Sequence, residues 1–388
     1  MRRERDIVFN EGVRYYVAGE QEKALASFDE VVAMDPQDAD AWKNRGIVLD
    51  ALGRPGEALT SYDRAIAIRP DDATTWLARG NSLNLNHVYE EAVRSCDMAI
   101  SLRPEEAMPW FIRGNALSGL FRYQEAVDSY DRAIALQQDF GDAWYNRAVV
   151  LSLEDRTEEA LASYDRAVAI DPDNVEAWQN RGTLLEEIGF FGEAIYSFER
   201  AITLRPDYVD GWFGHGNALS SSSRPEDAIR SYDRAIALEP DHLGAWNNRG
   251  NALSDLGRLE EALASYDEAI SYSPDDADSW YNKGLAQIRL HHFHEALASF
   301  EKVIDIDPGD GGAWSNRGAV LHEMGRLEEA IASYDRAISS RPEDLTARNN
   351  RELALEQLER PGNRHVPGSE VGWTGMRQEK ARRKGGRS

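Results

Sequence analysis

Residues Ala39–Asp72, ADAWKNRGIVLDALGRPGEALTSYDRAIAIRPDD, form a repeat of 34 residues that recurs along almost the whole chain. Tryptophan recurs at the fourth position in nine repeats, and alanine recurs at the twentieth position in all ten. Proline recurs at position 32 in nine repeats, where Gln138 fills the one gap. These three spacings share one phase, which predicts a repeat array grown by stacking instead of a single large core.

The period gives the predicted domain boundaries. Ten repeats are expected at residues 5–38, 39–72, 73–106, 107–140, 141–174, 175–208, 209–242, 243–276, 277–310 and 311–344. Residues 345–360 continue the pattern of a first helix and are predicted to cap the array. Residues 361–388 are rich in Gly, Pro and basic side chains and are predicted to be a disordered tail.

Each repeat is predicted to contain two helices. Trp42 and Gly46 lie four residues apart on one face of a first helix, which Asp40 is placed to cap. Pro55 suits the first turn of a second helix, and Pro70 ends that helix because the residue before a proline disfavours helix.

Glycine at position 8, such as Gly46, occurs in nine repeats although it costs about 1 kcal/mol relative to alanine in a helix. A neighbouring backbone is therefore expected to approach closely, with Ala58 on the opposite surface, while Trp and Tyr or Phe fill the remaining space. Arginine at position 7, such as Arg45, is expected to pair with an acid like Asp63, within or between repeats.

Cys96 occupies the aromatic position of the third repeat and is interpreted as a buried apolar filler. It is the only cysteine, which excludes a disulfide framework and a cysteine-based metal site.

Trp42, Gly46, Ala58, Tyr62 and Pro70 match the motif W-x2-L-G-x2-Y, A-x3-F and P of tetratricopeptide repeats, and the chain resembles that family over all ten repeats. The sequence departs from the motif by having mostly Arg in place of its Leu and mostly Leu in place of its Tyr. The resemblance implies an all-α, right-handed superhelical solenoid of helix-turn-helix repeats. Its first helices would line a concave inner face.

The formal charge is −24, although the tail carries seven Lys or Arg against two Glu. An acidic array repels nucleic acid and anionic membranes and favours basic partners. With no apolar leader and no run of membrane-spanning length, the chain is predicted to be soluble and cytoplasmic.

The candidate binding residues lie on the face of the first helix that is opposite the Trp and Gly. Asparagine is a mediocre helix former, so its persistence there predicts a ladder that hydrogen-bonds an extended peptide backbone. Recent duplication is the alternative explanation. The predicted ladder is Asn44, Asn81, Asn115, Asn146, Asn180, Asn217, Asn248, Asn251, Asn282 and Asn316. Variable position 5 adds the aromatic anchors Phe111, Tyr145, Phe213 and Tyr281, and the predicted acidic residues are Glu186, Glu187 and Asp255.

These patterns predict a protein-binding scaffold that docks an extended or helical, basic or amphipathic segment along an acidic groove. Two alternatives stay open: an adaptor whose basic tail contacts nucleic acid or anionic membrane, and a solenoid that associates with itself. No motif of a nucleotide-binding, hydrolase or metalloprotease site is present, and we predict no enzyme activity, no cofactor and no metal.

Overall fold

The computed structural model describes residues 2–359 and 371–373, and in this part of the chain the secondary structure is entirely helical. The helices are α1 (Arg2–Val17), α2 (Gln21–Met34), α3 (Ala39–Ala51), α4 (Pro55–Ile68), α5 (Ala73–Leu85), α6 (Tyr89–Leu102), α7 (Ala107–Gly119), α8 (Tyr123–Leu136), α9 (Gly141–Leu153), α10 (Thr157–Ile170), α11 (Val175–Glu187), α12 (Phe191–Leu204), α13 (Val209–Ser221), α14 (Pro225–Leu238), α15 (Leu243–Asp255), α16 (Leu259–Tyr272), α17 (Ala277–Arg289), α18 (Phe293–Ile306), α19 (Gly311–Glu323), α20 (Leu327–Ser340) and α21 (Leu345–Glu359).

The fold is an all-α repeat solenoid in which odd-numbered helices are the first helices of the repeats and even-numbered helices the second. The chain divides into an N-terminal body, Met1–Asn180, and a C-terminal body, Arg181–Ser388, each described here by itself. None of the helices described is both long and apolar enough to cross a membrane. The predicted tail and its proposed contacts with nucleic acid or membrane lie outside the described residues, apart from 371–373.

The glycines at position 8 are required by an aromatic ring. A Cβ added to Gly46 would lie 2.5 Å from Cε1 of Tyr62, the aromatic residue of the second helix in the same repeat. The same ring contact meets Gly114, Gly216, Gly250 and Gly318 at 2.5–2.7 Å. The expected close approach is therefore present, but the nearest group is the Tyr ring and not a backbone or Ala58.

The third repeat keeps this arrangement with a smaller side chain. A Cβ on Gly80 would meet the Sγ of Cys96 at 2.9 Å. Cys96 is fully buried, and burial raises the pKa of its thiol to about 12. These observations agree with its interpretation as an apolar filler.

The tryptophans hold the turns between repeats. Trp42 donates from Nε1 to the carbonyl of Pro36 at 3.1 Å, and each of the nine tryptophans makes this bond to the residue six positions earlier. Most of them are only half-buried, so they do not simply fill the space between helices as expected. In α21, Arg348 takes the tryptophan position and donates to the carbonyl of Pro342.

The side chain of the last residue of the preceding repeat caps the first helices α3, α5, α11, α15, α17, α19 and α21. Asp38 accepts from the backbone N–H of Ala41 at 3.0 Å, so the prediction that Asp40 caps α3 is wrong. Asp40 instead pairs with Arg69 at 3.0 Å. Pro55 does begin α4, and α4 ends at Ile68, before Pro70.

A ladder of charged hydrogen bonds crosses the borders between repeats. Arg45 donates from Nε to Asp29 of the preceding repeat at 2.6 Å and from Nη1 to Ser61 of its own repeat at 2.7 Å. The pairing is thus between repeats, and Asp63 pairs with Arg79 at 2.8 Å, not with Arg45. Equivalent pairs are Arg113–Asp97, Arg147–Asp131, Arg249–Asp233, Lys283–Asp267, Arg317–Glu301 and Arg351–Asp335.

Serine at position 23 is a partner that the sequence argument missed, although the sequence has it in all ten repeats. Ser61 is fully buried, accepts from Arg45 and donates to the carbonyl of Glu57 at 2.8 Å. It therefore connects the guanidinium to the backbone of the second helix. The recurrence of one small polar residue beside the aromatic ring was the available signal.

His215 replaces the ladder arginine in the seventh repeat. Its Nδ1 lies 3.0 Å from Ser231 Oγ, while its Nε2 is 3.7 Å from Glu199. Burial lowers the pKa of His215, against the opposing charge of Glu199. This rung is therefore longer and less charged at neutral pH than the arginine rungs.

Replacing Gly46 by Ala places a methyl group against the Tyr62 ring and should destabilise the fold by about 1–3 kcal/mol. Gly56→Ala is the matched control, because a Cβ on Gly56, within α4, meets nothing within 4 Å. That control should stabilise by about 0.4–1 kcal/mol, since alanine favours helix. Thermal unfolding midpoints measure the stability change of each variant. Equal shifts for the two variants would show that contact with the Tyr62 ring is not the reason for glycine at position 46.

A double-mutant cycle tests the register of the ladder. Arg45→Leu and Asp29→Asn should be coupled by about 0.2–1 kcal/mol, the range for partly exposed ion pairs. Arg45→Leu and Asp63→Asn should be additive, because Asp63 contacts Arg79. Urea unfolding of the single and double variants measures both, and coupling in the second cycle alone would reverse the assignment.

Candidate functional site

The candidate site is the face formed by positions 2, 5, 6, 9, 12 and 13 of the first helices, named here the first-helix face. Successive first helices pack against each other in the N-terminal body, for example α5 against α7, and in the C-terminal body, for example α15 against α17 and α19 against α21. Side chains on this face can therefore bond to those of the next repeat.

In the N-terminal body, asparagines on this face link one repeat to the next. Asn115 Oδ1 accepts from Tyr130 Oη at 2.9 Å and from Asn146 Nδ2 at 2.8 Å. Asn180 Nδ2 donates to Tyr145 Oη at 3.2 Å. Part of the hydrogen-bonding capacity of the predicted ladder is thus used inside the array.

Two other predicted asparagines of this body have different surroundings: one bonds within its own helix, and the other is exposed to solvent. Asn44 donates to the carbonyl of Asp40 at 2.8 Å within α3. Asn81 is exposed, and the residue at the aromatic position of its repeat, Cys96, has no hydroxyl to offer.

The C-terminal body repeats the same pattern. Asn217 Oδ1 accepts from Tyr232 Oη at 2.9 Å and from Asn248 Nδ2 at 3.0 Å, and Asn251 Oδ1 accepts from Tyr266 Oη at 2.8 Å. Two further bonds, Asn282 to Asn247 at 3.2 Å and Asn316 to Tyr281 at 3.0 Å, join consecutive repeats. The structure therefore brings the predicted asparagines together in a row within each body.

These tyrosines give a reason for asparagine at position 9 of the fourth, seventh and eighth repeats. Burial raises the pKa of the Tyr130 hydroxyl, so the group stays protonated and needs an acceptor. In the second repeat, where position 9 is Ile47, Asp50 accepts from Tyr62 at 2.7 Å instead. Duplication alone does not account for that replacement.

The predicted aromatic anchors lie on this face at different depths. Phe111 and Tyr145 are half-buried in the N-terminal body, and Phe111 packs on Phe140 with centroids 4.8 Å apart. In the C-terminal body Phe213 and Tyr281 are buried, with 7% and 1% exposure. Whether these four rings contact a partner stays a prediction.

The predicted acidic residues belong to the C-terminal body. Glu186 is half-buried, while Glu187 and Asp255 are exposed. Although Asp255 is exposed overall, partial desolvation of its carboxyl group raises its pKa, and the charge of Arg289 acts in the opposite direction. Arg289, in α17, donates to the carbonyl and the hydroxyl of Ser254 at 2.7 Å.

Asn350, at position 6 of α21, binds a peptide backbone. Its Nδ2 donates to the carbonyl of Gly372 at 2.8 Å, and its Oδ1 accepts from the Gly372 N–H at 3.0 Å. The sequence predicted α21 only as a cap, and Asn350 was not among the predicted binding residues. The signal was available, because Asn350 follows Asn316 by one period of 34 residues.

This arrangement suits recognition of a peptide backbone. A side-chain amide offers one donor group and one acceptor, which match the C=O and N–H of one extended residue whatever its side chain. Among the residues described, no cluster of three or more His, Cys, Asp or Glu could hold a metal ion.

Comparisons with known proteins identify one type of repeat along the chain. The family model described as tetratricopeptide repeat matches residues 9–73, 111–175, 213–279, 249–310 and 281–345, and a second model of that description matches 163–196. The search of curated proteins gave no match.

Among solved structures, the chain is similar to YrrB, described as a TPR protein with an unusual peptide-binding site, at 27% identity over 47% of this chain and 95% of that one, with a TM-score of 0.44. It is similar to yeast Tom70 at 14% identity over 93% of this chain and 97% of that one, with a TM-score of 0.45. It is also similar to PilF of Pseudomonas aeruginosa at 20% identity over 53% and 94%, with a TM-score of 0.48.

A pair of substitutions separates structural from exposed asparagines. Asn115→Ala leaves the buried Tyr130 hydroxyl without its acceptor and should destabilise by about 1–3 kcal/mol. Asn81→Ala, at the same position of the preceding repeat, should change stability by less than about 0.5 kcal/mol because Asn81 is exposed. Chemical unfolding measures both changes, and similar losses would show that the tyrosine bond is not the reason for asparagine.

Proposed function

This chain belongs to the tetratricopeptide repeat family of protein–protein interaction scaffolds, and we propose that it binds an extended, basic or amphipathic segment along its first-helix face. The observation that carries the proposal is the pair of hydrogen bonds between Asn350 and the backbone of Gly372. They are an example, in this chain, of a position-6 asparagine holding an extended segment.

The mechanism rests on backbone recognition supported by charge. Position-6 asparagines Asn44, Asn146 and Asn180 are half-buried and stand at whole multiples of the repeat, so a segment lying across several first helices would meet a similar amide at each of them. Each contact is weak, and affinity arises from their number. The net charge of −24 adds long-range attraction for a basic segment and speeds the encounter.

The acidic residues Glu186, Glu187 and Asp255 are proposed to select the charge of the partner, and the half-buried rings of Phe111 and Tyr145 its apolar side chains. Members of this family are typically non-catalytic, which fits a site built from amides, rings and carboxylates without a nucleophile. The proposed partner is a protein segment that is recognised by its charge and by its extended conformation.

Charge reversal tests this proposal. The probe is one labelled extended peptide in lysine-containing, neutral and glutamate-containing versions, and binding is followed by fluorescence anisotropy at low and high salt. The full chain should prefer the lysine version at low salt, and the neutral version should keep a weaker affinity through its backbone. Glu186→Lys, Glu187→Lys and Asp255→Lys together should weaken binding of the lysine version roughly ten-fold.

The matched control reverses three exposed acids on second helices, Glu226, Glu260 and Glu328, and makes the same change in net charge. If the two triple variants lose affinity equally, only net charge matters and the first-helix face is not the site. If the three peptide versions bind equally, the proposal of an acidic binding surface is wrong.

A further inference from the structure

We infer that Thr346 and Asn350 form a glycine-selective subsite on the first-helix face, and that its occupant is the chain's own segment Val371–Trp373. The inference rests on the proposed function, because it takes the same mode of backbone recognition and adds a sequence requirement and an identified ligand.

The hydrogen-bond geometry shows that the segment is held as an extended strand. In an extended chain the N–H and C=O of one residue point to the same side, and both groups of Gly372 bond to the single amide of Asn350, at 3.0 and 2.8 Å. Asn350 thus plays the part that a neighbouring strand plays in an antiparallel sheet. The side chain is almost completely buried, at 3% exposure, so water competes poorly for these bonds.

Thr346 supplies the selectivity. A Cβ added to Gly372 would lie 3.0 Å from Cγ2 of Thr346, tighter than ordinary van der Waals contact. The threonine sits in the first turn of α21, one turn before Asn350, and its branched side chain has few rotamers in a helix. The methyl group therefore cannot easily turn away from a larger residue.

The backbone of Gly372 gives no other reason for glycine. Its φ does not lie in the left-handed region that disfavours other residues. The contact with Thr346 is thus the feature that favours glycine at this place.

The pairing of threonine with asparagine is specific to α21. Other repeats that have asparagine at position 6 carry an acid or glycine at position 2, as in Asp40 with Asn44 and Gly244 with Asn248. Thr74, in the third repeat, is followed at position 6 by Ala78. The glycine requirement is therefore a property of this subsite and not of the whole face.

The segment is favoured as occupant because it is tethered. Eleven residues separate Glu359, the end of α21, from Val371. A short tether gives an effective concentration on the order of millimolar, so even weak contacts keep the subsite filled. A partner that uses this subsite must carry glycine in an extended segment and must displace Val371–Trp373.

The test uses the full-length chain and hydrogen exchange measured by mass spectrometry on peptides covering residues 366–378. The Gly372 amide should be protected in the wild type. Gly372→Ala should speed its exchange by at least about three-fold, because the new methyl group meets Thr346. Thr346→Ala combined with Gly372→Ala should restore protection, and Asn350→Leu should abolish it.

A trans experiment identifies the ligand requirement. A synthetic peptide of residues 366–378 should bind the full-length Gly372→Ala variant more tightly than the wild type, whose subsite is occupied. The same peptide with Ala in place of Gly372 should bind that variant more weakly, and Thr346→Ala should remove the difference. Unchanged thermal midpoints in the variants verify that the array is folded.

The outcomes separate the two proposals. Fast exchange of the Gly372 amide in the wild type overturns the inference, while charge-dependent binding of lysine peptides would leave the proposed function standing. Protection that persists in Gly372→Ala, or that Thr346→Ala fails to restore, removes the glycine selectivity. If neither protection nor charge-dependent peptide binding is found, both proposals fail.

Discussion

The contact between the aromatic ring of the second helix and the glycine of the first helix is the constraint on which most repeats depend. The fifth repeat, which has the buried Ala148 at position 8, accommodates a Cβ. With the Tyr62 ring 2.5 Å from where a Cβ of Gly46 would lie, the two helices of the second repeat approach more closely than a residue with a Cβ would comfortably allow. That approach places the hydroxyl of the ring near the first-helix face, where it must find an acceptor. Position 9 asparagines such as Asn115 provide it, so the packing of the interior and the composition of the face have one cause.

Much of the fold followed from the period, because ten copies of one pattern average out local ambiguity. The errors came from partners of the same residue type at the same position. Asp29 and Asp63 are equivalent in sequence, so no pattern could decide which one Arg45 contacts, and only the stacking of repeats does so. The cap was misassigned between Asp38 and Asp40 for a similar reason, since both are acids near the helix start.

The sequence was sufficient to place the asparagines on one face of the first helices, but not to identify their hydrogen-bond partners. Asparagines on an exposed face indicated backbone recognition, and Asn350 with Gly372 has that geometry. Their bonds to tyrosines and to each other could not be foreseen, because they depend on the distance between first helices of neighbouring repeats. The role of Thr346 was equally hidden, since it requires knowing which residue lies opposite.

The ladder of Arg45 and its equivalents has a consequence for how the array comes apart. In a linear array each repeat contacts only its neighbours, so cooperativity is transmitted border by border. At the border between α12 and α13 the rung is His215, 3.7 Å from Glu199. At neutral pH this rung adds less charge pairing than an arginine rung does, so α12 and α13 are held together chiefly by packing, for example of Phe198 against Gly214. The charge pairing between consecutive repeats is therefore uneven along the C-terminal body, and unfolding that spreads from repeat to repeat would meet borders held by different interactions.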